Sequence, residues 1–361
     1  MKRSLQFKTI ILLLLLPLFV SASELPADKH TKDKTIKKEF SVSTYATLKI
    51  DNSYGNLNII TWDENRIVIE VTITTSGNDE EKVMKRLDGI TVDFNASPNY
   101  VSAITIFNND KSKSWLNWGK NDNVNMKINY IIKMPITNNI DLNNDYGSIN
   151  LDTLKGYSKI DCDYGKITTK ELLGDSNILS FDYTNNSYFE YVKNAEINAD
   201  YSSFTISKAV NVDLNADYTD SKIEEVENIK YTCDYGSFKT SKVNNIEGSG
   251  DYLTVILGDV NQHVSLDSDY GSIKINRLTE NSGHVSIKGN YTGIKIGYSP
   301  THYFSFDIDL EYASLSSDGL EFLKKRTESS TNYYSGFYGN ANSGNMIKIT
   351  SEYGSVSLFK N

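Results

Sequence analysis

Residues 212–257 read VDLNADYTDSKIEEVENIKYTCDYGSFKTSKVNNIEGSGDYLTVIL. The pairs Asp217-Tyr218, Asp234-Tyr235 and Asp251-Tyr252 fall 17 residues apart. Counting back from Tyr218, Ala216 and Leu214 take alternate positions, with Asp217 and Asn215 between them. That period of two belongs to a strand with one buried face. The alternation stops at the tyrosine. It resumes three and five residues later, as at Val255 and Leu257. The chain therefore turns a corner, and Gly236 suits one because glycine tolerates positive φ.

The unit extends far beyond this stretch. Its tyrosines are Tyr54, Tyr146, Tyr164, Tyr183, Tyr201, Tyr218, Tyr235, Tyr252, Tyr270, Tyr291, Tyr312 and Tyr353. From Tyr146 to Tyr312 the spacing stays between 17 and 21 residues. Asp145, Asp163, Asp182, Asp200, Asp217, Asp234, Asp251 and Asp269 precede eight of them, and Glu311 and Glu352 precede two more. Ile or Leu recurs four residues before the tyrosine, as at Ile50, Ile160 and Ile349, and small residues recur two before, as at Cys162, Ala199 and Gly250.

A unit this short cannot bury its inner face alone, so stacking on its neighbours must close the core. It is also too short for a helical hairpin. The expected fold is all-β: a β-solenoid, parallel β-helix-like, with one repeat per coil and coils about 4.8 Å apart. The alternative is a meandering β-sandwich. Strand parity puts the tyrosines on the core side, as an internal ladder of stacked rings. Cys162 and Cys233 share one column four repeats apart, roughly 19 Å along such an axis. A disulfide needs Cα atoms within about 7 Å, so two free, buried thiols are expected.

The flanks are less regular. Residues 1–22 read as a signal peptide: Lys2 and Arg3, an apolar run from Ile10 to Val20, then small residues. Eleven apolar residues are too few to span a bilayer, which needs about 20. Residues 23–38 are charged and read as a flexible leader. Residues 39–135 read as a β-meander that caps the repeats, with alternation over Arg66–Thr74 and a short helix over Glu80–Leu87. Residues 136–361 hold the repeats, interrupted by a Tyr/Gly/Ser/Asn-rich loop at 318–345.

The chain of 361 residues carries a net charge of −9 and lacks basic clusters. A nucleic-acid binder needs stripes of Lys and Arg, so that class is set aside. Export is expected, to the periplasm, the cell surface or the medium, without a membrane-spanning segment.

The strand–Asp-Tyr-Gly-Ser–strand unit behind a signal peptide resembles the bacterial putative-adhesin family, exported β-solenoid domains of unknown function. It is also similar to the head domain of auto-transporter adhesins. The resemblance covers about residues 40–361. It implies surface interaction, with a cell-surface glycan or protein as partner, and transfers no catalytic residue.

Several residues could carry function. Stacked carboxylates of the Asp column could bind Ca2+ weakly, since hard cations seek clustered oxygens. They could equally accept N–H groups at the corners. The tyrosine column could offer an aromatic strip to glycans if it faced outward. Trp115 and Trp118 lie in a polar loop, and Tyr333, Tyr334, Phe337 and Tyr338 in another; both could bind ligands or cap the repeats. His263 and His284 each lie seven residues before a repeat tyrosine and could form a metal pair, without an evident third ligand. No catalytic signature is present. The leading expectation is a non-enzymatic adhesin or envelope-binding protein without a cofactor. The alternatives are a polysaccharide-degrading enzyme that uses Asp carboxylates and a purely structural envelope protein.

Overall fold

The computed structural model describes residues 28–108 and 123–361. Among these, strands alternate with corners throughout, and one helix interrupts them. The all-β expectation holds. No helix among the described residues is long and apolar enough to cross a membrane.

Two parallel ladders run through the repeats, one before each tyrosine and one after it. In the first, Ile160 pairs with Leu179, Leu179 with Ile197, Ile197 with Leu214 and Leu214 with Tyr231. In the second, Ile149 pairs with Ile167, and further on Val255 pairs with Ile273 and Ile273 with Ile294. Each residue thus meets its counterpart one repeat away. In the middle of the chain the ladders merge into single long strands, Ser203–Asp217, Asp220–Asp234 and Gly236–Asp251. The apolar columns are buried on their inner side, with Ile160, Leu179, Ile197 and Leu214 at most 1% exposed. Cys162 and Cys233 are free and buried, as the columns require, and burial pushes both thiols up to about 12.

One column contains a size exchange. Tyr231 fills the core where other repeats place Ile or Leu and stacks on Phe238 at 4.9 Å. The next residue in that column is Gly248, and a Cβ there would lie 2.0 Å from the Tyr231 ring. Large and small side chains thereby share one constant volume.

At the corner the structure corrects the parity argument. All twelve repeat tyrosines have φ between 48° and 63°. A left-handed residue breaks the in–out alternation of the strand, so the ring swings outward. The tyrosines are between 40% and 59% exposed, rather than inside. The glycines that follow serve a different need. A Cβ on Gly147 would stand 1.8 Å from the carbonyl oxygen of Gly55, and one on Gly165 2.0 Å from that of Gly147. They allow neighbouring corners to touch.

The ends explain the long spacings. After Tyr291 the chain skips one layer, forms Phe304–Glu311, and makes an antiparallel hairpin of Glu321–Glu328 and Thr331–Tyr338. Met346–Glu352 then returns into the skipped place, parallel both to Val285–Asn290 and to Phe304–Glu311. The loop expected at 318–345 is therefore largely this hairpin, which covers the edge of Phe304–Glu311. Its charged outer strand, with Lys324, Lys325 and Arg326, suits an open edge.

At the other end, Tyr100–Phe107 lies parallel to Thr47–Ser53, and Val124–Pro135 lies parallel to Leu57–Trp62. The helix Glu80–Asp88 agrees with its expected place and is capped by the Asp79 side chain. The flexible leader is corrected in its described part. His30–Ser41 is a strand paired antiparallel with Arg66–Gly77, because its alternate residues lie against a neighbour of equal length. The signal peptide lies outside the described residues.

Candidate functional site

The outward tyrosines form one continuous stack. Ring follows ring from Tyr54 through Tyr146 and the successive repeats to Tyr291, with centroids 4.8 to 5.2 Å apart and planes within 10° of parallel. The out-of-order end keeps the series intact: Tyr291 stacks on Tyr353 at 4.6 Å, and Tyr353 on Tyr312 at 4.9 Å. Eleven such steps make a ridge roughly 50 Å long. Phe107 meets Tyr54 edge-on at 6.2 Å and ends the stack. Neighbours occupy the ring faces, so the ridge presents edges and hydroxyl groups to solvent. Partial shielding, then the neighbouring phenols, push the hydroxyls of Tyr164, Tyr235 and Tyr353 above their ordinary range.

A column of carboxylates flanks the ridge. Each is spent on the backbone of the next repeat. The Asp182 N–H donates to Asp163 Oδ1 at 3.0 Å, Asp200 to Asp182 at 3.0 Å, Asp217 to Asp200 at 3.0 Å and Asp234 to Asp217 at 3.1 Å. The corner role expected of these residues is thus played between layers. Partial burial first, and then the neighbouring carboxylates, raise the Asp145 and Asp161 carboxyls above the usual range. Asp161, Asp163, Asp182 and Asp200 share a hollow of about 330 Å3. Among the described residues, no three His, Cys, Asp or Glu side chains converge to hold a metal ion.

A second surface is concave. A groove of about 780 Å3 runs over the layers from Asn177 to His284. One wall is a ladder of amides seven residues before the tyrosines. Asn211 Nδ2 donates to Asn194 Oδ1 at 2.7 Å, Asn228 to Asn211 at 2.8 Å and Asn245 to Asn228 at 2.8 Å. The column continues as His263 and His284, whose rings lie 6.0 Å apart. The His284 N–H donates to His263 Nδ1 at 3.3 Å, which leaves Nε2 as the protonated nitrogen of a neutral His263. Val212, Ile229 and Ile246 lie along the floor, and Glu196, Asp213, Lys230, Glu247, Ser265 and Ser286 form the other wall.

The structure thus brings His263 and His284 together, as their equal spacing from Tyr270 and Tyr291 implied. The amide ladder that they extend went unread, although Asn194, Asn211, Asn228 and Asn245 repeat every 17 residues. Trp115 and Trp118 lie outside the described residues. The other aromatic set is tied down on the end hairpin. Tyr333 donates to Asp307 Oδ2 at 3.0 Å, and Tyr338 donates to the Pro300 carbonyl at 3.1 Å and packs against Tyr298. Tyr334 meets Phe322 edge-on, and Phe337 pairs with Ser305 along the covered strand. These four rings stand half-buried at the end of the ladders.

No family model and no curated protein matches the chain. Several solved structures do. A "putative adhesin" from Parabacteroides distasonis is 10% identical, covers 73% of this chain and 93% of its own, and has a TM-score of 0.32. Another from Bacteroides fragilis is 14% identical over 91% and 97%, with a TM-score of 0.25. A "putative cell adhesion protein" from Clostridium sporogenes is 11% identical over 91% and 100%, with a TM-score of 0.18. These names coincide with the family that the repeat resembles. Overlaps this loose decide nothing about ligand or mechanism.

Proposed function

We propose that this chain is an exported β-solenoid that binds a surface molecule without catalysis, as an adhesin or envelope-binding protein. The two parallel ladders, advancing one step per repeat, support the solenoid reading; the antiparallel strands lie at its ends. The observation that carries the functional reading is the exposed tyrosine ridge. A left-handed backbone costs an L-residue on the order of 1 kcal/mol, which glycine or asparagine would largely avoid. Tyrosine nevertheless occupies this position twelve times. Stacking offsets the strain by about 0.5–1.5 kcal/mol per ring pair. A buried stack would do the same, so outward display of the rings is the feature that packing leaves unexplained.

The test is adhesion of the full chain to a panel of bacterial and host cells and matrix proteins. The triple variant Tyr201→Gly, Tyr218→Gly, Tyr235→Gly should lose binding at least tenfold while its circular dichroism is retained. Unchanged adhesion by the triple variant, or no adhesion anywhere on the panel, would sink the proposal. A companion variant, Trp115→Ala with Trp118→Ala, reports whether that loop contributes as well.

A further inference from the structure

The groove over residues 177–286 is separate from the ridge and has chemistry of its own. Its amide wall is fixed in place, since each asparagine oxygen from Asn194 to Asn228 is held by the amide of the next repeat. That arrangement consumes one N–H of Asn211 and one of Asn228 and leaves each with a second. Asn245 spends both, on Asn228 and on Gln262 Oε1. The groove therefore carries pre-oriented donors one repeat apart, with the imidazoles of His263 and His284 in line with them. Six steps from Asn177 to His284 make it roughly 30 Å long.

We propose that this groove binds a linear, uncharged, hydroxyl-rich oligosaccharide lying along the amide ladder. Each alternative ligand class meets an obstacle. An apolar chain would strip water from the free amide N–H groups and offer no acceptor, which is costly for a buried polar group. An acidic glycan would face Glu196, Asp213 and Glu247 with Lys230 as the only cation on that wall. A basic peptide would meet Lys230 in the middle and find no acceptors on the amide N–H side. A hydroxyl-rich chain satisfies both walls, because every hydroxyl both donates and accepts. The apolar floor suits the C–H faces of sugar rings.

The test uses cellohexaose, maltohexaose and mannohexaose as neutral probes and hexagalacturonate as the acidic one. Binding to the full chain is read by calorimetry and by hydrogen-exchange protection. At least one neutral hexasaccharide should bind and protect the backbone around residues 194–247. Ser265→Trp, which fills the groove from its open wall, should abolish that binding. Asn211→Ala with Asn228→Ala should weaken it about tenfold, as the loss of two hydrogen bonds of about 0.5–1.5 kcal/mol each implies. If Ser265→Trp does not fold, the asparagine pair carries the test.

The inference is overturned if no neutral hexasaccharide binds, if hexagalacturonate binds as tightly, if a basic nonapeptide competes equally, or if protection appears elsewhere. The ridge variant Tyr201→Gly, Tyr218→Gly, Tyr235→Gly should leave hexasaccharide binding unchanged. Loss of cell adhesion in that variant alongside intact sugar binding separates the two sites. Loss of both together would overturn the groove as an independent site.

Discussion

The tyrosine ridge and the asparagine wall are two columns of the same repeat, seven residues apart. They share the period, the parallel register and the habit of bonding to their own copies. The ridge is built on left-handed corners and stands out from the body, whereas the wall is built on extended strands and lines a hollow. One column is held by ring stacking and tolerates backbone strain. The other is held by hydrogen bonds between amides and carries none. The contrast teaches that repetition fixes which residues meet, while the local backbone fixes where they point.

The comparison can first be broken through pH. It holds only while the body beneath both columns stays intact, and His302 limits that range. His302 is fully buried, with both ring nitrogens unpartnered, and burial lowers it to about 4. Its unfolded value is near 6.5, so the unfolded chain takes up the proton first as the pH falls. Stability is full above about 6.5 and declines towards 4, by about 3 kcal/mol if that difference is realised. Thermal midpoints measured at pH 7 and pH 4 should show the loss, and His302→Leu should remove most of it. A wild-type midpoint that does not fall on acidification would contradict the assignment.

The ridge comes next. Tyr218→Ala removes two stacking contacts and leaves a left-handed Cβ, and should cost about 2 kcal/mol in denaturant titrations. Tyr218→Gly loses the same contacts but relieves the strain, so it should be about 1 kcal/mol milder. Equal costs for the two variants would mean that the corner is not strained. On the wall, Asn228→Ala breaks two exposed amide bonds and should cost only about 1 kcal/mol.

The smallest effect concerns the acids beside the ridge. Asp217→Asn keeps the oxygen that accepts the Asp234 N–H and removes one of a row of like charges. Its effect should lie within about 0.5 kcal/mol and lean towards stabilisation. Added salt should narrow the difference between the two proteins, since screening weakens the same repulsion. A clear loss of stability would show that the charge, and not only the oxygen, is needed.

Much of the fold was legible in the sequence. The 17-residue period around Tyr218, the alternation back to Leu214 and the shared column of Cys162 and Cys233 gave the strands, their register and the free thiols. The helix over Glu80–Leu87 was legible from its own composition. What could not be read has a physical cause in each case. Counting by twos assumes an extended backbone, and Tyr218 at φ 52° is not extended, so its ring was placed on the wrong side. The spacing of 41 residues between Tyr312 and Tyr353 gives a length but not the order of layers, and so it hid the return of Met346–Glu352 into the skipped place. The amides from Asn194 to Asn245 were visible as a column. Whether a column lines a ridge or a hollow depends on the curvature of the ladders, which residue spacing does not encode.

The most direct test of the outward ridge is hydroxyl-radical footprinting of the native protein, read tyrosine by tyrosine by mass spectrometry. The account predicts that Tyr146, Tyr164, Tyr201, Tyr218 and Tyr235 oxidise readily while the buried Tyr130, Tyr231 and Tyr298 are protected. Protection of the repeat tyrosines to the level of Tyr231 would place the stack inside the core and contradict it.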